Sequence, residues 1–169
     1  MSKFGMLSIA AATVALAIPA AAHAVILGPD AATCANGERG VIVNVTGFKQ
    51  RTGKVRVQLY AAQSSFLDKG AWLQRVDVAV PRSGTAAICV PVSSPGKYVV
   101  SVRHDLNGNG KSDMKDGGGF SGNPDVKLTD LMRKRKPSLS ETSFSVGEST
   151  ARVNVVLNYV RGLSFEPVG

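Results

Sequence analysis

The sequence predicts an all-β protein, an antiparallel β-sandwich of about seven strands. Apolar residues alternate with polar ones through most of the chain after residue 40, which is the period of a half-buried strand. Gly- and Pro-containing turn sequences separate these runs at fairly even spacing. No linker or internal repeat divides the chain, and 169 residues fit one domain.

The first 24 residues have the features of a cleavable secretory signal. Lys3 gives a positive charge, an apolar run covers residues 6–18, and Ala22 and Ala24 form the small-x-small pattern that signal peptidase accepts. The apolar run is shorter than the roughly 20 residues that span a bilayer. We therefore expect cleavage after Ala24, no transmembrane anchor in the mature chain, and a periplasmic or secreted protein.

Cys34 and Cys89 are the two cysteines of the chain. In an oxidising compartment an isolated pair predicts a disulfide, which would stabilise the fold by about 4 kcal/mol. The bond would tie residues 25–39, predicted as an irregular N-terminal arm, to the strand that contains Cys89. Two free redox-active thiols are the alternative, which the absence of a Cys-x-x-Cys sequence disfavours.

The β-sandwich domain is predicted over residues 40–160, followed by a C-terminal tail over residues 161–169. Its strands follow the alternation of apolar side chains. The predicted strands cover residues 41–45, 54–59, 73–80, 86–92, 97–103, 144–146 and 153–159. The pattern does not predict the order of these strands within the sheets.

A long interruption of the strand pattern begins at residue 105 and lasts almost forty residues. Such segments in compact domains usually carry function or are disordered. Residues 126–135 predict a short helix that Pro137 would end. Four cations follow each other at its end: Arg133, Lys134, Arg135 and Lys136. They predict either a solvated helix end or a patch that binds anions or a membrane surface.

The formal net charge of the chain is +8, which favours binding to anionic surfaces. Because the chain carries an export signal, nucleic acid is not an expected partner. The expected partners are an envelope protein, a polysaccharide or an anionic surface.

The segment that begins at Asp105 has oxygen donors in the register of a twelve-residue calcium loop. In such a loop the side chains at positions 1, 3, 5, 9 and 12 point inward, position 7 offers its carbonyl, and position 6 is Gly. The corresponding residues are Asp105, Asn107, Asn109, Asp113 and Asp116, with the carbonyl of Lys111 and with Gly110 at the turn. The register predicts a calcium site.

Three features predict that this site binds calcium weakly, with a Kd on the order of 10⁻⁴–10⁻³ M. A strand precedes the loop instead of a helix, Asp116 is one methylene shorter than the usual Glu, and Lys111 and Lys115 add positive charge. The alternative is a turn-rich connection in which Asp and Asn side chains cap their own backbone. In either case the expected role is to order the loop.

His104 is the only histidine outside the first 24 residues, which excludes a zinc site with several histidines in one mature chain. It shares the strand parity of Tyr98, Val100 and Val102, so we expect a packed or hydrogen-bonded side chain. No catalytic set accompanies it, and the prediction is a non-enzymatic binding or structural module. The alternative is a hydrolase of envelope polymers that uses His104 and the loop carboxylates as acid and base.

The order of these motifs resembles the bacterial exported family known as domain of unknown function 2141. The motifs are His-Asp-x-Asn-x-Asn-Gly at residues 104–110, Gly-Phe-Ser at 119–121, Pro-Ser at 137–138 and a final apolar strand at 153–159. The resemblance covers roughly residues 40–159. It implies an immunoglobulin-like or transthyretin-like sandwich without an assigned activity. The glycines at 117–119 and the basic run at 133–136 depart from the common pattern.

Overall fold

The computed structural model describes residues 25–168 and shows an all-β sandwich, which confirms the predicted fold class. The signal predicted over residues 1–24 lies outside the described residues. Within the described part, every helix is too short to cross a bilayer.

The described residues contain eleven strands and three short helices, joined by turns and loops. In chain order they are β1 (Ile26–Leu27), α1 (Ala31–Ala35), β2 (Gly40–Thr46), β3 (Lys54–Ala61), β4 (Gln74–Ala79), β5 (Ala86–Pro91), β6 (Gly96–Asp105), β7 (Gly117–Phe120), α2 (Leu128–Met132), α3 (Leu139–Thr142), β8 (Phe144–Val146), β9 (Ala151–Val156), β10 (Asn158–Arg161) and β11 (Ser164–Pro167).

The strands form two sheets. One has the order β1-β5-β2-β9, and the other has the order β11-β10-β7-β6-β3-β4, with β8 paired to β6. Most neighbours are antiparallel, but β1 pairs with β5 and β2 with β9 in parallel. The sandwich is thus antiparallel in most of its strand pairs, as predicted, and parallel in these two. Hydrophobic alternation has the same period in both orientations, so the sequence pattern carries no signal for strand direction.

The predicted apolar faces of the strands fill the space between the two sheets. The completely buried members of this core include Val41, Val43 and Val45 of β2, Val55 and Val57 of β3, and Val100 of β6. These β-branched side chains suit the pleated surface of a strand, and removing their apolar area from water is the main stabilising term.

The strand β7 lies inside the interruption predicted after residue 105, and it pairs with both β6 and β10. Its glycines have no hydrophobic period, which is why the pattern failed there. Two of them are required by close packing. A Cβ on Gly117 would lie 2.5 Å from the ring of Tyr159, and one on Gly119 would lie 2.7 Å from Val155 Cγ1.

The C-terminal segment also differs from its prediction. The apolar run at residues 153–159 is not one strand, because the chain passes at Leu157 from β9 in one sheet to β10 in the other. The predicted tail contains the strand β11, which pairs with β10. The helix α3 was not predicted either, whereas α2 lies within the predicted helix.

The N-terminal arm is more regular than predicted, since it contains β1 and α1. The predicted disulfide between Cys34 and Cys89 is present, with a Cα–Cα distance of 5.9 Å. Both cysteines are buried with Ile42 and Ala87 in a small cluster separate from the main core. The disulfide thus fixes α1 to the four-stranded sheet.

Candidate functional site

The loop between β6 and β7 is held at both ends by the sheet. Its first and last acidic residues are nearly buried, with Asp105 3% and Asp116 7% exposed. The residues between them are mostly exposed. Because β6 and β7 are adjacent antiparallel strands, the loop forms a closed curl at one end of the seven-stranded sheet.

Asp105 organises the first half of the loop. Its carboxylate accepts hydrogen bonds from the backbone amides of Asn109, at 3.1 Å, and Gly110, at 2.7 Å. The guanidinium of Arg103 lies 3.6 Å from the same carboxylate and donates to the carbonyl oxygen of Gly110 and the hydroxyl of Ser112. These bonds bend the chain around the Asp105 side chain.

The two asparagines form successive Asx turns. Asn107 Oδ1 accepts the amide of Asn109 at 3.0 Å, and Asn109 Oδ1 accepts the amide of Lys111 at 2.7 Å. Their side-chain nitrogens lie 3.1 and 3.5 Å from one carboxylate oxygen of Asp113. The structure therefore brings three predicted site residues together: Asn107, Asn109 and Asp113.

Asp113 is exposed, but several donors favour its charged form. Its pKa lies below the usual value because the carboxylate accepts the backbone amide of Lys115 and the side-chain amides of Asn107 and Asn109, and these hydrogen bonds together outweigh desolvation, which raises the pKa. Asp113 is therefore a carboxylate throughout the neutral pH range.

Asp116 does not join the cluster of Asn107, Asn109 and Asp113. Its two carboxylate oxygens accept the backbone amides of Leu106 and Asp113, at 3.1 and 3.3 Å, and so close the base of the loop. Across residues 25–168, no three His, Cys, Asp or Glu side chains gather as a metal-binding group. Two of the converging side chains are neutral amides.

The loop has the self-capped hydrogen bonds that the turn-rich alternative predicts. The same oxygens would be ligands in the calcium arrangement, so a cation would have to share or replace these bonds. The structure brings Asn107, Asn109 and Asp113 together and directs the Asp105 and Asp116 carboxylates at backbone amides, and calcium binding stays a prediction.

His104, next to Asp105, is completely buried and fully hydrogen-bonded. Its Nε2 lies 2.8 Å from the carbonyl oxygen of Thr52, which can only accept, so Nε2 carries the proton. Its Nδ1 then accepts from the hydroxyl of Tyr159 at 2.6 Å. Burial raises the pKa of Tyr159, which keeps that hydroxyl protonated. The prediction of a packed, hydrogen-bonded His104 is confirmed.

The turn before β3 contacts the beginning of the loop between β6 and β7. This contact was not predicted from the sequence. The Thr52 hydroxyl donates to the carbonyl of Leu106 at 3.2 Å. Gly53 adopts a φ of +73°, and a Cβ there would overlap the backbone oxygen of Asp105. The sequence shows these residues only as a turn signal, and nothing in it indicates that the turn contacts a loop more than fifty residues away.

Two of the four consecutive cations at the end of α2 have acidic partners. Arg135 lies 3.7 Å from Asp130, and Lys136 pairs with Asp68 at 2.6 Å and donates to the carbonyl of Ser64. Arg133 and Lys134 make no ion pair with any described residue. Lys136 therefore fastens this segment to the loop after β3, which leaves two free cations of the predicted four.

A family model described as "Uncharacterized protein conserved in bacteria (DUF2141)" matches residues 43–154. The chain belongs to this family. The DUF2141 match begins within β2 and ends within β9, so it contains the whole loop together with Thr52 and His104. Tyr159 and the hairpin of β10 and β11 lie beyond it. No curated protein and no solved structure matches the chain.

Proposed function

We propose that this protein is an exported, non-enzymatic β-sandwich module of the bacterial envelope whose loop from Asp105 to Asp116 binds calcium weakly. The observation that carries the proposal is the meeting of Asn107, Asn109 and Asp113 beside the Asp105 curl, in calcium-loop register.

Two further observations support export and a binding or structural role. The first 24 residues have the sequence features of a secretory signal, and the Cys34–Cys89 disulfide suits an oxidising compartment. Both ring nitrogens of His104 are engaged in internal hydrogen bonds, which favours a module that binds or supports over one that catalyses.

The chemistry of the loop fits a hard cation held loosely. Asp105 and Asp113 supply charged oxygens, the two asparagines supply amide oxygens, and the carbonyl of Lys111 is at position 7. The asparagine side chains would have to turn so that their oxygens face the ion. This cost, together with the positive charges of Lys111 and Lys115, keeps the expected Kd on the order of 10⁻⁴–10⁻³ M.

Isothermal titration and thermal unfolding of the exported protein with calcium chloride test the proposal. At a Kd of about 10⁻³ M, about 10 mM calcium should raise the free energy of unfolding by about 1.4 kcal/mol. Asp113→Asn removes a charged ligand but keeps the shape of the side chain, so it should abolish the response. Asp125→Asn removes an exposed carboxylate outside the calcium register and is the matched control.

Binding heat and a raised thermal midpoint for the wild-type protein and Asp125→Asn, but not for Asp113→Asn, would support the site. An absence of heat and of any midpoint change for the wild-type protein at millimolar calcium would contradict the metal-binding part of the proposal.

A further inference from the structure

The strand β4 is an edge of the seven-stranded sheet, because among the described strands it pairs only with β3. Just beyond it, the amide of Val80 donates to the carbonyl of Gly53, which identifies a hydrogen-bonded pair of the antiparallel ladder. Such pairs alternate along the register, so every second residue of β4 bonds to β3. These residues are Gln74, Val76 and Val78. The residues that direct their amide and carbonyl groups away from the sheet are Arg75, Asp77 and Ala79.

The outward backbone groups of β4 have no backbone partner within residues 25–168. Unpaired edge groups are a template for a strand of another chain, and proteins usually shorten, cover or interrupt such edges. The β4 edge is six residues long and contains no proline. Its backbone is therefore able to accept a further strand.

The other edges of the two sheets are better protected. The strands β1 and β8 have two and three residues. The strand β11 has four residues and ends at Pro167, which has no amide hydrogen to donate. Along β9, the side chain of Asn123 donates to the carbonyl of Asn154 and accepts the amide of Val156, so it takes the place of a neighbouring strand. Among the described strands, β4 is thus the edge most open to strand addition.

The charges of β4 suit a second copy of the same strand. Arg75 and Asp77 lie on the outer face of the sheet, where their side chains are 36% and 32% exposed. They are opposite in sign and two positions apart. An antiparallel copy centred on the residue between them therefore places Arg75 across from Asp77 at two symmetric positions.

Backbone geometry and charge together select this register. Outward residues meet outward residues only when the two-fold axis passes through a residue position. An axis at Arg75 would place two arginines opposite each other, and an axis at Asp77 would place two aspartates opposite each other, which is destabilising. An axis at Val78 would pair Asp77 with Ala79 and form no charge pair. An axis at Val76 joins opposite charges at both positions.

Two exposed apolar side chains immediately precede β4. Trp72 is 41% exposed and Leu73 is 52% exposed. In the register centred on Val76, this segment runs beside the end of β4 in the second copy, near its Ala79 and Val80. Association would therefore remove apolar surface from water in addition to forming backbone hydrogen bonds.

We propose that two copies of this chain associate through their β4 strands, antiparallel and centred on Val76, so that the larger sheet continues from one copy into the other. Each of the symmetric pairs of Arg75 with Asp77 exchanges backbone hydrogen bonds and joins opposite charges across the contact. Because one short strand supplies most of the contact, the interface is small and the dimer forms in a concentration-dependent way. The contact uses no residue of the calcium loop, so either proposal can fail without the other.

Sedimentation velocity of the exported protein, from about 10 µM to about 1 mM, tests the association. We expect the sedimentation coefficient to rise from that of a monomer toward that of a dimer and to go no further, since a two-fold contact is closed. A monomer at every concentration, or growth beyond the dimer, would overturn the proposal.

A pair of charge reversals tests the register. Arg75→Glu places Glu opposite Asp77, and Asp77→Lys places Lys opposite Arg75, so each variant alone should dimerise at least about tenfold more weakly than the wild-type protein. An equimolar mixture of the two variants restores opposite charges at both positions and should form a heterodimer. Thermal midpoints show that each variant is folded, which matters for Asp77→Lys because Asp77 also accepts a hydrogen bond from Arg56.

Matched controls make the same charge changes on other strands. Arg152→Glu on β9 and Glu166→Lys on β11 should dimerise as the wild-type protein does. Folded variants at Arg75 and Asp77 that dimerise normally, or a mixture of them that stays monomeric, would overturn the proposed register. A loss of dimer in Glu166→Lys would place the contact at β11 and overturn the proposal.

Amide hydrogen exchange locates the contact in the unmodified protein. The amides of Arg75 and Asp77 should exchange quickly in the monomer and slowly at dimer-forming concentrations. The amide of Val76 bonds to β3 and should exchange slowly at both concentrations. Exchange at Arg75 and Asp77 that stays fast in the dimer would overturn the proposal.

Discussion

His104 and Asp105 are consecutive residues of β6, yet each belongs to a different hydrogen-bonded network. His104 connects the carbonyl of Thr52 to the hydroxyl of Tyr159, which also accepts the amide of Lys49, and these bonds lie in the interior. Asp105, itself nearly buried, begins the loop, and beyond it the side-chain oxygens of Asn107, Asn109 and Asp113 accept backbone amides at the exposed surface.

Burial determines whether a polar network can exchange its hydrogen-bond partners. A buried donor or acceptor that loses its partner costs about 1–3 kcal/mol, because water cannot replace the partner. In the exposed loop, water or a cation can take the place of a lost hydrogen bond. The interior network is therefore suited to fixing the fold, and the loop is suited to exchanging its partners for a ligand.

Gly117→Ala should lower the free energy of unfolding most, since its methyl group would displace the Tyr159 ring that is hydrogen-bonded to His104. The new methyl group would lie 2.5 Å from the ring of Tyr159, whose hydroxyl is held by His104, so the ring has little freedom to move. We expect a loss of about 3 kcal/mol in the free energy of unfolding. The measurement is urea denaturation with Gly118→Ala as the control, and an equal effect of the two substitutions would contradict this packing.

Tyr159→Phe should have the next largest effect. It removes the hydroxyl that donates to His104 and accepts from Lys49, which leaves the buried Nδ1 of His104 without a partner. We expect a loss of about 2 kcal/mol. Tyr98→Phe, which removes a partly buried hydroxyl bonded to the carbonyl of Ser94, should cost less.

Nitrogen-15 NMR of His104 checks the same network without a mutation. The chemical shifts should show the neutral tautomer protonated at Nε2. A tautomer protonated at Nδ1 would contradict the proposed direction of the hydrogen bonds.

Acid should affect the loop with the smallest change in overall stability. The pKa of Asp113 is lower in the folded protein than in the unfolded chain, so its contribution is present above about pH 4 and is lost as the pH falls through the folded pKa. The amide resonance of Lys115 should follow this titration. A midpoint at or above the usual Asp value would contradict the hydrogen bonds assigned to Asp113.

The core strands could be predicted from the sequence because their burial follows a strict period of two. Val41, Val43 and Val45 lie on one face of β2 as predicted, and Val55, Val57 and Leu59 do so on β3. The strand β7 could not be predicted in this way. Its residues are selected by the space that Tyr159 and Val155 leave, and glycine carries no hydrophobic signal for that constraint.

The candidate site could be predicted in part. The oxygen donors of the loop lie within twelve consecutive residues, so their spacing can be recognised in the sequence. The burial of His104 follows from its position on the same strand face as Val100 and Val102. The partners Thr52 and Tyr159 come from distant segments that strand pairing brings together. Asp116 turns toward the base of the loop because β7 begins directly after it, and this strand was not recognised.

The crossing of the chain at Leu157 has a consequence for the order of assembly. The segment from Ala151 to Arg161 supplies β9 to one sheet and β10 to the other, so both sheets stay unfinished until the last part of the chain is available. Before this segment is available, the chain would present the open edges of β2 and β7 instead of a closed sandwich. Closure of both sheets is thereby coupled to one segment, and a chaperone that covers these two edges would act during that interval.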